Sequence, residues 1–469
     1  MKKFAALLLA LTMVLGMATI TASAEGSERV ITIGTTWDLY WDSFDGSIED
    51  NPYYSGTTAD EMKFAKVKQI EEKWGVKFEY INLTYAGAKE SINTSVLAGT
   101  PDVDVYMMDL ALAAPAAANG YVIDMRDVLP ADNTVIQGKD AVLSYIDTGS
   151  GAVQLLCDNN AENMVGSTMP LAFNLQMIED ANLEDPRDLV ERGEWTWKKF
   201  REYCKTLTKD TDGDGNIDVY GFGGWPGDYF MNLVMSNGTN VAATATENLS
   251  SPEVGEVLQF MQDLNLVDKV MYPIPEENGW DVCRYLYRDG KVAFTPIAAW
   301  IMDSNKDYAF QSPDSPTLDF DMVFIPWPVG PHGNAETNAQ KVTANACYVI
   351  PVGVEDPELV YNVLYDLLNW YDYDPNSEDG GAAALAIRDD PETLGWWYGV
   401  TAKDIDLQDY NFEVMMEMGR HQMLDRYGSL GDDAELPLRQ FINGEYTTAQ
   451  LQEKYRQTIQ DAIDGILGK

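Results

Sequence analysis

The stretch KDTDGDGNIDVYGF, residues 209 to 222, holds four aspartates and three glycines in fourteen positions. Carboxylates at alternate positions of a tight loop suit a hard cation such as calcium, which takes about six to eight oxygen ligands. Asp210, Asp212, Asp214, the Asn216 carbonyl and Asp218 fall on positions one, three, five, seven and nine of an EF-hand loop. Gly215 takes the sharp turn at position six, but position twelve, where a bidentate glutamate belongs, is Gly221. No second loop pairs with this one, so the pattern speaks against a calcium sensor. Two readings are left: a solvated acidic turn, or a structural calcium clasp between a helix and a strand. Four carboxylates this close repel one another without a cation, which favours the clasp. Its affinity would be on the order of 10⁻⁴ to 10⁻³ M, as in extracellular modules.

Other reactive residue types are sparse. The two histidines, His332 and His421, sit in no recognisable catalytic context, which lowers the prior for Ser-His or Cys-His hydrolases. Cys157, Cys204, Cys283 and Cys347 lie far apart and show no zinc spacing. Disulfides and buried free thiols are equal readings, and the sequence does not choose a pairing. Acidic residues are abundant, so a glycosidase built on an Asp/Glu pair stays open.

The elements that would position these residues read as α/β. RVITIGTTW is a strand; Ala59 to Trp74 is a helix ended by Gly75. VKFEYINL is a second strand, AKESINTSVLAG a helix closed by Gly99, and DVDVYMM a third strand. This order implies a parallel sheet with helices on its faces. Later come the helix WTWKKFREYCKTLTKD, the helix SSPEVGEVLQFMQDLNLV, GKVAFTPIAAW as a buried strand running into a short helix, the strand ACYVIPVGV, and the helix DPELVYNVLYDLLNWY. The last helix carries a capping box, Thr447 with Gln450, and an apolar stripe through Leu451, Tyr455, Ile459, Ala462 and Ile466.

Lys2 and Lys3, the apolar run from Phe4 to Ile20, and Ala22 and Ala24 before Glu25 form an export signal with an A-x-A cleavage site. No later stretch is long and apolar enough for a membrane span, so the mature chain is expected outside the cytoplasm. A formal charge of −43 repels nucleic acid and anionic lipid. It suits a neutral or cationic ligand, a partner with a basic face, or simply a soluble acidic surface.

Taken in order, LAGTPDVDVYMMD, AANGYVIDMRDVLP, GEWTWKKFREYCKTLTKDTDGDGNIDVYGF, YRDGKVAFTPIAAW and FINGEYTTAQLQEKYRQTIQDAI resemble the sugar-binding, maltodextrin-binding-protein-like solute-binding proteins of ABC importers. The likeness covers nearly the whole chain beyond the signal. It implies a two-lobed periplasmic-binding-protein type II fold, each lobe a mainly parallel sheet flanked by helices, closing by a hinge on ligand in the cleft. Mapped here, residues 1–24 are the signal, 25–168 with 349–412 lobe one, and 169–348 with 413–469 lobe two. Many relatives from single-membrane bacteria carry a lipobox cysteine near the signal, and this chain has none there.

The resemblance also implies a monomeric receptor that passes a carbohydrate, an oligosaccharide in the first instance, to a permease. Trp300 matches a tryptophan that stacks on sugar. Trp37, Tyr40 and Trp41 follow the first strand, whose C-terminal end should face the cleft. Asp109 follows the third strand and could bind a hydroxyl or cap a helix. Trp225 lies in a Gly-rich turn, and Trp396 and Trp397 line the cleft or fill a helix interface. Rival readings are a secreted glycosidase and a receptor of the same fold for a peptide or polyol.

Overall fold

The computed structural model describes residues 29–37, 43, 46–51, 54, 56–159, 168–275, 279–298, 318–338, 340–341, 347–390, 405–425 and 436–469. The chain starts with β1 (Arg29–Thr35), α1 (Thr58–Trp74), β2 (Val76–Asn82), α2 (Tyr85–Leu97), β3 (Val105–Met108), α3 (Leu110–Ala118), β4 (Leu143–Tyr145) and β5 (Leu156–Asp158). Next come β6 (Leu171–Asn174), α4 (Leu175–Asp180), α5 (Pro186–Glu191), α6 (Trp197–Leu207), β7 (Tyr220–Phe222), α7 (Pro226–Ser236), α8 (Pro252–Gln262), α9 (Gly279–Arg288), β8 (Val292–Pro296) and β9 (Met322–Ile325). The rest is β10 (Gln340–Lys341), β11 (Cys347–Val349), α10 (Pro357–Leu368), α11 (Ala382–Arg388), α12 (Ile405–Arg420), β12 (Gln422–Met423), α13 (Leu438–Ile442) and α14 (Thr448–Ile466).

Local signals set many of these limits. Thr57 caps α1 by accepting the Asp60 amide, and Gly75 closes it. Thr447 and Gln450 make the expected reciprocal box at the start of α14, whose Leu451, Ile459 and Ile466 are buried.

Two main sheets result. The first has the order β2-β1-β3-β11-β5-β4. Its β1, β2 and β3 are parallel, as the β-α-β-α-β reading expects, while β11 returns antiparallel between β3 and β5. The second has the order β7-β8-β6-β9, with β7 parallel to β8 and β6 antiparallel to both its neighbours. Each sheet is buried on both faces. Ile31, Phe78 and Val105 belong to one core of the first sheet, Tyr106, Met108 and Leu155 to the other. The second sheet packs Phe173 and Phe294 on one side and Ala172 and Phe324 on the other.

The second lobe is notably aromatic. Trp195 meets Phe200, Tyr203 and Phe294 at ring separations of 6.0, 5.8 and 5.9 Å. Such pairs add about 1 kcal/mol each beyond their burial.

One expected limit shifts. Helix α12 crosses residue 412, yet both its halves pack on the second sheet, Leu407 in one core and Phe412 and Met415 in the other. Asn411 donates to the Met322 carbonyl at 2.8 Å and accepts the Phe324 amide at 2.8 Å. It thereby pairs the open edge of β9 as a further strand would. Residues 405–412 therefore pack on the second sheet.

Candidate functional site

The parallel strands of the first sheet end together at Thr35, Asn82 and Met108. Register places Cys347, Cys157 and Asp158 at this same edge. In the second sheet, β7 and β8 end at Phe222 and Pro296, and Leu171 and Ile325 align with Pro296. The chain leaves the first edge after Asp158 and enters the second at Leu171. It leaves the second after Ile325 and re-enters the first at Cys347. Both crossings therefore join one strand-end edge to the other, and strand ends at such a switch are where α/β sheets place ligands.

At the first edge, Trp37 is half-buried against the core of α1, β1 and β2, and the buried Thr35 hydroxyl donates to its carbonyl. Asp109 is the N-cap of α3: its carboxylate accepts the Leu112 amide at 3.0 Å. The capping role named for it from sequence is thus present.

At the second edge the Gly-rich turn ends in Trp225, the residue before Pro226 at the first position of α7. Its half-buried ring lies over Gly227, where a Cβ would stand 3.3 Å from the ring's Cδ1 and Nε1. The Trp225 carbonyl accepts the Asp228 amide at 3.0 Å. Behind this turn lies Arg284, only 4% exposed, with its guanidinium 3.7 Å from the Asp228 carboxylate. Neither Arg284 nor Asp228 carried a sequence signal, because α9 and α7 meet only through the tertiary fold. Trp300, Tyr40, Trp41, Trp396 and Trp397 lie outside the described residues, as does the export signal.

The acidic loop forms a closed turn between α6 and β7. Lys209 and Val219 exchange backbone hydrogen bonds at its neck. Asp210 accepts the Gly213 and Gly215 amides at 2.7 and 2.8 Å, so the turn holds this carboxylate inward. Gly215 has φ +94°, the left-handed region that position six requires. Carboxylate oxygens of Asp210, Asp212 and Asp218 come within 4.8 Å of one another. Asp218 also accepts the Thr211 hydroxyl, which holds its carboxyl below the usual range. Asp214 is not in this group. It accepts the Asn216 amide and side chain at 2.7 and 3.0 Å. The absent glutamate has a steric cause: a Cβ on Gly221 would collide with the Cys204 backbone, where β7 lies against α6.

Cys204 and Cys283 are buried, and burial pushes both thiols up, Cys283 to about 12. Both are therefore neutral at physiological pH, which is poor for nucleophilic chemistry. His332 and His421 each pair with a surface glutamate, Glu256 at 2.9 Å and Glu417 at 2.8 Å. Among the described residues no helix is long and apolar enough to cross a membrane.

Residues 55–371 match the family model of bacterial extracellular solute-binding proteins. None of the curated proteins matches the chain. Solved structures similar to it include an ABC substrate-binding protein of Listeria monocytogenes in complex with cycloalternan. That protein is 15% identical, with a TM-score of 0.60 over 94% of this chain and 100% of that one. The maltose/maltodextrin-binding domain of Bdellovibrio bacteriovorus bound to maltotriose is 16% identical, with a TM-score of 0.55 over 92% and 99%. A Mycobacterium tuberculosis protein in complex with glycerophosphocholine is 15% identical, with a TM-score of 0.59 over 94% and 99%. At such identities the likeness is one of fold, whereas the family model spans most of the sequence. The chain belongs to the bacterial extracellular solute-binding proteins.

Proposed function

We propose that the protein is the receptor subunit of an ABC importer, binding an oligosaccharide between its two strand-end edges and passing it to the permease. The observation that carries this reading is Trp225. It is a half-buried flat ring beyond the end of β7, held by a proline-started helix and backed by a glycine. A rigid ring of this kind stacks on the apolar C–H face of a sugar at little entropic cost. Similar folds hold cycloalternan and maltotriose, which supports the carbohydrate class. Transport rather than catalysis is the work proposed, with hinge closure as the response to ligand. The signal ending at Ala24 is proposed to export a monomeric mature chain starting at Glu25; N-terminal sequencing of the secreted protein checks it. The loop with Asp210, Asp212 and Asp218 is proposed to hold a structural calcium, with Asp214 and the Asn216 carbonyl at its margin.

The test is a melting-temperature screen with maltotriose, ribitol and glycerophosphocholine, followed by product analysis. At a hundred times its dissociation constant a ligand bound only by the folded chain adds about 2.7 kcal/mol. Stabilisation by maltotriose without products supports the reading. Products would move it to a glycosidase. Stabilisation by ribitol or glycerophosphocholine alone would change the cargo class.

A further inference from the structure

Cys157 on β5 and Cys347 on β11 are separated by 190 residues yet face each other directly across an antiparallel pair. Residues opposed in this way have Cα atoms about 4.5 to 5.5 Å apart, inside the roughly 4.4 to 6.8 Å window that a disulfide spans. Both side chains enter the same buried core, and their sulfurs lie 3.8 Å apart. The contact sits where β5 leaves the first sheet toward the second and where β11 brings the chain back. Only two residue pairs, Cys157 with Cys347 and Leu156 with Tyr348, join these strands. Among the described residues, these pairs are the ladder contacts that attach the β4–β5 hairpin to the rest of the sheet.

We propose that Cys157 and Cys347 are a disulfide-forming site that covalently closes the β5–β11 junction at the base of the first two crossings between the lobes. Extracellular proteins mature where disulfides persist. Two S–H bonds break and one S–S bond forms. The two protons and two electrons pass to the disulfide of a thiol–disulfide oxidant, which leaves as two thiols. The neighbouring Cys157 thiol and burial push Cys347 well above the usual thiol range, and both sulfurs are buried away from an external oxidant in the folded chain. Oxidation therefore belongs to folding, before β11 docks on β5. Cys204 and Cys283 stay reduced. A 190-residue closed loop gives the bond a large entropic effect on the unfolded chain.

The full chain is refolded with oxidised and reduced glutathione, acid-quenched, unfolded, alkylated without reduction and mapped by mass spectrometry. The expected result is one linked peptide pair, Cys157 with Cys347, and alkylated Cys204 and Cys283. Alkylation of all four, or a link to Cys204 or Cys283, overturns the proposal. The oxidised protein should also melt on the order of 5 °C above the reduced protein. The same difference persisting in Cys347→Ser would overturn it as well.

Discussion

The two strand-end edges spend their side chains differently. At the first edge Asp109 caps α3, the Thr35 hydroxyl donates to the Trp37 carbonyl, and the half-buried Trp37 lies against the core. At the second edge the backbone does the structural work, through Gly223, Gly224 and the proline at the start of α7, which leaves the Trp225 ring partly exposed. Charge ties elements together around both sheets: Lys73 of α1 pairs with Asp366 of α10 at 2.7 Å beside the first. Arg201 and Lys205 on α6 clamp the nearly buried Asp268, and the acidic loop joins α6 to β7. A side chain that satisfies a helix end has less capacity left for a ligand. Among the described residues, Trp225 of the second edge is therefore the ring assigned to stacking on the solute, with Asp109 and Thr35 holding the first edge in place.

Trp225→Ala is the strongest way to break this contrast. Loss of a central aromatic anchor should weaken maltotriose binding about 30-fold, or about 2 kcal/mol, with little change in melting temperature. An unchanged dissociation constant by calorimetry would remove the second edge's assigned role.

Asp268→Asn tests the charge clamp. Burial pushes Asp268 up, but Arg201 and Lys205 outweigh it and hold the carboxyl below its ordinary value. A lowered folded value means the stabilisation is complete above the unfolded pKa of about 3.9 and is lost as pH falls through the folded one. The variant should lose about 2 kcal/mol at pH 7. Urea titrations should show the gap to wild type narrowing below pH 4, and a gap constant with pH would assign the loss to packing.

Calcium is the next lever. With a dissociation constant near 1 mM, 10 mM calcium should add about 1.4 kcal/mol, reversed by EDTA and absent in Asp212→Asn. An equal melting temperature in calcium and in EDTA would reduce the loop to a solvated turn.

The smallest effect is expected at the first edge. Asp109→Ala should cost about 1 kcal/mol of stability through the lost cap, while Asp109→Asn keeps the cap. Both should leave maltotriose affinity within twofold. Weaker binding by the Asn variant would show that this edge also contacts solute and would sharpen the contrast into a shared site.

The parallel β1–β3 arrangement, the ends of α1 and the capping box of α14 were legible because their causes lie within a few residues. Thr57 and Gly75 bound one helix, Thr447 and Gln450 start another, and alternation in VKFEYINL marks a strand. The acidic loop was legible in part. Its spacing pointed to Asp210, Asp212, Asp214, the Asn216 carbonyl and Asp218; the structure gathers the carboxylates of Asp210, Asp212 and Asp218, while Asp214 turns to Asn216. The aromatic site was less legible, because a tryptophan looks the same in a core and in a cleft until the strand ends are aligned.

By itself the sequence determined the α/β class, the family motifs in their order and the helix limits, all of which rest on periodicity and nearest-neighbour hydrogen bonds. Only the tertiary structure decided how β11 slots between β3 and β5, why Gly221 excludes a glutamate, that α12 joins the second sheet, and which cysteines meet. Each depends on contacts between segments tens to hundreds of residues apart. No local spacing encodes such contacts, because they form only where two whole elements find a shared apolar face.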